Sequence, residues 1–280
     1  MLPRDDDELL ALAGILDPPP PEQGLFRADS WLRKLGAESV LLLGGGRALL
    51  LEIAHPLVAA GVALHSRFRE DPLGRLQRTL DAMSAIAFRD RPAALEAARR
   101  VARAHARVRG RLAHGAGRFP AGTAYSGQDP ELMLWVWATL VDTALVVTDR
   151  FVGPLALEAR ESYYADQRVV ARVLGIPAEI LPADHAGFDA YFDGMLAGDA
   201  LAVTNTAREI ASAVLDPPVR LPATGVARLV TAGLLPVRLR EAFGLAWDAA
   251  RERRLAGLCA SARALRAAGT GSLDGPPKAR

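Results

Sequence analysis

At 280 residues, half of them hydrophobic, the chain is long enough to bury a sizeable core in one large domain or two small ones. Its 34 Lys and Arg against 32 Asp and Glu leave a formal charge of only +2, and the basic residues are interspersed with acidic ones, which excludes the long basic run of a nucleic-acid binder. The single cysteine, Cys259, excludes an internal disulfide framework and a cysteine-rich zinc site, and points to a reducing, cytoplasmic setting.

Residues 1–24 read as an N-terminal arm. MLPRDDDELL lacks the basic start and apolar core of an export signal, and Asp17-Pro18-Pro19-Pro20-Pro21 favours extended polyproline backbone. Residues 25–268 read as one helical domain, because Ala, Leu and Arg are abundant while Ile, Tyr, Thr and Phe, which favour sheets, are sparse. Residues 269–280, GTGSLDGPPKAR, carry no periodicity and read as a disordered tail.

The stretch VLLLGGGRALLLEIAHP, residues 40–56, opens like a strand, a glycine turn and a helix. A dinucleotide cradle needs a third glycine where Leu49 stands, and no alternation of strands and helices surrounds the stretch. Gly44-Gly45-Gly46 is therefore expected to let the chain turn closely against neighbouring helices, Val40–Leu43 being a helix end. Only Ser39–Leu43 resembles a strand by composition. Pro56 should interrupt the apolar segment Leu49–Leu64.

Asp71-Pro72, Pro92 and Asp129-Pro130 signal three helix starts. The spacing predicts helices over Leu73–Phe88 and Ala93–Leu112, and from Glu131 onward. Further helices follow over Leu155–Leu174, Ala183–Gly194, Ala197–Leu215, Leu221–Ala232 and Val237–Ala268. The run LMLWVWATLVDTALVVT, Leu132–Thr148, approaches the length of a membrane span, but Asp142 interrupts it, so a buried core helix and no membrane span are expected.

Several polar residues break the pattern. In the Ala93–Leu112 helix, Leu95, Ala98, Ala102, His105, Val108 and Leu112 recur every three or four residues, so His105 points where apolar residues point. Arg109, one turn later, should lie beside it. In the preceding helix Arg75, Arg78 and Thr79 stand at one end of the apolar strip that continues through Ala82 to Ile86. A Glu-x-x-His unit, Glu52–His55, occurs once; a di-iron bundle needs two, so that site is excluded.

The blocks GGGRALLLEIAHPLVAAGVALHSRFREDPLGRLQRT, HARVRG, YSGQDPELMLWVWATLVDT and ESYYADQRVVARVLGIP, in this order, closely resemble the family of MpaB-type oxygenases and latex-clearing rubber oxygenases, formerly a domain of unknown function. The resemblance runs from about residue 26 to about residue 250. It implies an all-α fold with a globin-like helical core and a b-type haem (haem b, iron). By resemblance His105 is the proximal iron ligand, Arg109 follows it at the cofactor, and Arg75 and Thr79 stand near the haem. Arg78 replaces a lysine that can approach the iron in a rubber oxygenase; an arginine, always protonated, cannot. Trp137 stands where many relatives have histidine.

The resemblance implies a haem-dependent oxygenase acting with dioxygen on a small apolar, unsaturated, isoprenoid-like substrate by insertion or cleavage at a carbon–carbon double bond. Trp135, Trp137 and Leu140 are candidates to line its cavity, and His55 and His65 are secondary candidates near the site. The alternative is a non-catalytic helical protein that binds haem or another small molecule.

Overall fold

The computed structural model describes residues 5–15, 18–66, 72–216 and 224–269, apart from the side chains of Pro72, Leu73, Arg75 and Leu76. Among these residues the protein is all-α, with one two-stranded ribbon. Its helices are α1 (Asp6–Leu12), α2 (Trp31–Gly36), α3 (Gly45–Ala54), α4 (Pro56–His65), α5 (Pro72–Phe88), α6 (Arg91–Ala106), α7 (Pro130–Phe151), α8 (Leu157–Val173), α9 (His185–Ala197), α10 (Asn205–Leu215), α11 (Thr224–Leu234), α12 (Val237–Ala242) and α13 (Ala249–Ala268). The strands are β1 (Arg109–Arg111) and β2 (Ala124–Ser126).

Helix α7 organises the core. Asp129 caps it by accepting from the amides of Glu131 and Leu132, and Pro130 occupies the first turn, where its missing N–H costs nothing. Trp135, Trp137, Ala138, Val141 and Leu145 are buried in the main apolar cluster, among side chains from α3, α6, α8, α9 and α10. The helix is long and apolar enough to cross a membrane by length and composition. Packing of this kind also explains its composition, since core helices of folded domains are apolar on most sides.

The glycine stretch is a site of close helix packing. Ser39–Gly44 forms a 3-10 turn rather than a strand and runs directly into α3. A Cβ at Gly44 would stand 2.6 Å from Thr143 Cγ2 of α7 and 2.9 Å from Val147. One at Gly46 would overlap Thr231 Oγ1 of α11. Only glycine lets α3 approach both helices. At the far end, His55 is extended because it precedes Pro56, and the chain turns by 110° into α4.

Several helices end earlier than their periodicity predicts. The Ala93–Leu112 pattern stops at Ala106, and Arg109–Arg111 turns into β1, paired antiparallel with β2. Gly110 faces Tyr125 across this ribbon, so close that a Cβ would overlap the phenol. The expected Ala197–Leu215 helix is divided: α9 ends at Ala197, and α10 begins after Thr204, which accepts from the amide of Ala207. Likewise Gly244, at φ +69°, and the cap at Asp248 separate α12 from α13.

Part of the arm belongs to the fold. Asp5 caps α1, and Leu9, Leu10 and Ala13 enter the main core. Arg91 donates to the carbonyl of Pro19, tying the proline stretch to α6. Asp71 and residues 270–280 lie outside the described residues.

Candidate functional site

Helices α5 and α6 are joined by only Arg89 and Asp90, so they run antiparallel, and they pack extensively. Asp90 accepts from Ala93 N–H and starts α6. His105 stands as far beyond this turn as Gly74 and Arg75 stand before it. The hairpin therefore sets the start of α5, carrying Arg75, Arg78 and Thr79, alongside His105. Arg78 and Thr79 have exposed side chains, while Ile86 further along α5 is buried. The side chain of Arg75 lies outside the described residues.

His105 is half-buried near the end of α6, on the face that buries Leu95 and Ala98. Its Nδ1 is buried and has no hydrogen-bond partner among the described residues. Burial holds the imidazole below its ordinary pKa, in the neutral form. Its carbonyl accepts from Val108 N–H at 3.0 Å, closing the helix. Gly127 packs against that carbonyl, where a Cβ would lie only 2.7 Å away.

The departure of β1 from the helix changes the place of Arg109. Periodicity puts it one turn above His105 on the inner side; instead it lies on the ribbon with its side chain exposed. Its carbonyl accepts a hydrogen bond of 3.0 Å from His65 Nε2, so the end of α4 supports β1. Gly61 of α4 packs against Val108 and Tyr125. Arg109, Gly110, Arg111, Ala124, Tyr125 and Ser126 line an open concavity of about 500 Å³.

His55, at the other end of α4, is a capping residue: its Nδ1 accepts from Leu57 N–H at 3.3 Å, and its ring lies 4.9 Å from that of Phe119. Burial and the Arg118 guanidinium lower its pKa to about 4, against the opposing influence of Asp129. Trp135 is fully buried, stacks on Phe192 at 5.5 Å and donates to the carbonyl of Leu51. Trp137 packs among Tyr164 and Phe188, with Nε1 unpartnered among the described residues. Leu140 is half-buried. Both indoles are core elements in this structure.

Two buried polar arrangements escaped the sequence reading. Arg47 Nη1 lies 2.6 Å from Asp142 Oδ2, and Arg47 also donates to Thr143 Oγ1 and to the carbonyl of Leu234. Desolvation raises the Asp142 pKa in spite of this guanidinium. The second is His185, which is buried with Nδ1 3.1 Å from Asp189 Oδ2. The interruption of the apolar run by Asp142 was a visible signal for the first. Its partner, far away in sequence, was not.

Among the described residues, the fold and site thus define an all-α domain in which a buried, unpartnered Nδ1 of His105 lies where a two-helix hairpin meets a basic ribbon. The chain belongs to the family described as ER-bound oxygenase mpaB/B'/Rubber oxygenase, catalytic domain, whose model matches residues 32–264. Among curated proteins and among solved structures nothing matches. The site fits the haem that the family resemblance implies in one testable respect: a haem iron needs a deprotonated imidazole nitrogen, and burial favours the neutral ring of His105, whose buried Nδ1 has no hydrogen-bond partner among the described residues.

Proposed function

We propose that this oxygenase-family protein binds haem b through His105 and acts with dioxygen on a small apolar substrate bearing a carbon–carbon double bond. The observation that carries the reading is the unpartnered, neutral imidazole of His105 inside an oxygenase catalytic domain. When bound, the haem supplies the activation of dioxygen. His105 holds the group in place; burial keeps its ring deprotonated, so no proton competes for the nitrogen.

Arg75, Arg78 and Thr79, at the start of α5, are assigned to the same site. The guanidinium of Arg78 and the hydroxyl of Thr79 offer donors to anionic or oxygen-rich groups, and neither needs to change its protonation to do so. Arg109 is assigned to the cofactor by the family resemblance. The apolar side chains of the core keep the interior dry and disfavour polar substrates. The protein is assigned to the cytoplasm, which keeps Cys259 reduced.

The test is product analysis after incubating the haem-loaded chain with a panel of isoprenoid alkenes under labelled dioxygen. Label in the carbonyl or hydroxyl of a product, lost in His105→Ala, supports the assignment. Unchanged substrates across the panel, with haem bound, refute the catalytic part of it.

A further inference from the structure

The N-terminal arm does more than pack against the domain. It forms one wall of a second cleft, of about 650 Å³, whose other wall is α8 and which lies apart from His105. Gly14, at φ +68°, turns the chain out of α1, and the contact of Arg91 with the Pro19 carbonyl holds Pro18–Pro20 beside the domain. Proline backbone is already restricted to an extended form, so holding it as an edge costs little entropy. Leu25 and Phe26, both buried, anchor the chain where it returns toward α2. From the opposite side Ser162, Asp166 and Val169 line the cleft, spaced so that they share one face of α8.

The walls present acceptors far more than donors. Prolines carry a carbonyl and no N–H, and an ionised carboxylate only accepts. Asp166 Oδ2 accepts from Leu32 N–H at 3.0 Å, and its carboxylate makes no ion pair among the described residues. Burial raises the Asp166 pKa against the pull of the Leu32 and Trp31 amides, and the charge of Asp29 pushes in the same direction. The carboxyl is therefore short of positive charge. The neighbouring cations are otherwise engaged: Arg27 lies 3.6 Å from Asp29 on the exposed rim, and Lys34 Nζ stands over Trp31, 4.6 Å from the ring centroid. Around Asp166 the surface turns apolar, with Trp31, Phe26, Val169 and the proline rings.

We propose that the cleft between the proline arm and α8 binds a small apolar amine, with its ammonium on Asp166 and its hydrocarbon body against Trp31, Phe26 and the prolines. An ammonium brings three donors and a positive charge to a wall of acceptors, whereas an anionic ligand would meet the Asp166 carboxylate. The arm lies outside the catalytic-domain stretch 32–264, so this site is an addition to the oxygenase domain. It stands independently of the haem reading.

The test is isothermal titration calorimetry of the full chain with three ligands of one shape: 4-phenylbutylamine, the neutral 4-phenylbutanol and the anionic 4-phenylbutanoate. The amine should bind most tightly and the anion least. Asp166→Asn keeps an oxygen to accept from Leu32 N–H but removes the charge. It should bind the amine about tenfold more weakly, the size of one lost charge-assisted hydrogen bond, and the alcohol as the parent does. Ser162→Trp leaves Asp166 and its hydrogen bond in place while filling the cleft, and should abolish amine binding with an unchanged circular dichroism spectrum. The site is overturned by a folded parent chain that gives no heat with the amine, by an amine that binds no tighter than the alcohol, or by equal amine affinity in parent and Asp166→Asn. Should Asp166→Asn fail to fold, unchanged amine affinity in Ser162→Trp overturns it as well.

Discussion

Replacing Gly46 with alanine tests why glycines open α3. In an exposed helix the change gains about 1 kcal/mol of helix propensity. Here the new methyl would overlap Thr231 Oγ1 and lie 3.2 Å from Thr231 Cβ and 3.3 Å from Cγ2. Thr231 is 1% exposed, so its side chain has no open space into which to rotate. Overpacking of a tight core costs roughly 1–3 kcal/mol, and this contact belongs at the upper end. The net expectation is a loss of about 2 kcal/mol. That corresponds to a fall in Tm of roughly 4–8 °C by differential scanning calorimetry, at about 2–4 °C per kcal/mol. In a Thr231→Ala background the hydroxyl and Cγ2 are gone, and the same substitution should be neutral or stabilising, a coupling of about 2 kcal/mol. If Gly46→Ala were as stable as the parent, or lost the same amount in both backgrounds, close packing would not explain the glycine.

Other consequences follow from the buried polar groups. Arg47→Met leaves the Asp142 carboxyl desolvated without its partner, and should cost about 3–5 kcal/mol in urea unfolding, whereas replacing both residues by apolar ones should recover much of that loss. His55 has a folded pKa of about 4 against an ordinary 6.5, so the unfolded chain binds the extra proton; stability from this group is complete above pH 6.5 and is lost as pH falls toward 4. Stability curves from pH 7.5 to 4.5 should therefore slope less in His55→Asn, which retains a capping side chain; equal slopes would count against a neutral buried His55. Gly127→Ala should push on the carbonyl of His105 and on Val108, weakening haem uptake several-fold without touching the imidazole; unchanged uptake would uncouple ribbon position from the site.

The legible parts of this fold are those whose signals are local. Asp129-Pro130 and the long apolar repeat after it specify α7 by capping and burial together. His105 stood out because one imidazole interrupts an apolar face, and the structure keeps that face inward at Leu95 and Ala98. The segment after it was misread because ARVRGRL has good helical periodicity and propensity. What overrides them is tertiary: Gly110 packing on Tyr125, Leu112 buried beside α4, and hydrogen bonds to β2. The same override moved Arg109 from the inner side of a helix to an exposed strand. The Arg47–Asp142 pair was half visible, since an aspartate within an apolar run demands a cation but does not name it.

The assignment of His105 is the step on which the rest depends, and a reconstitution spectrum addresses it directly. The purified chain with one equivalent of haem should develop a sharp Soret band that His105→Gly loses and added imidazole restores, because the buried Nδ1 has no hydrogen bond among the described residues that the small molecule would have to replace. A folded parent chain that leaves the haem spectrum unchanged, or a His105→Gly variant with the parent's spectrum, would contradict the account.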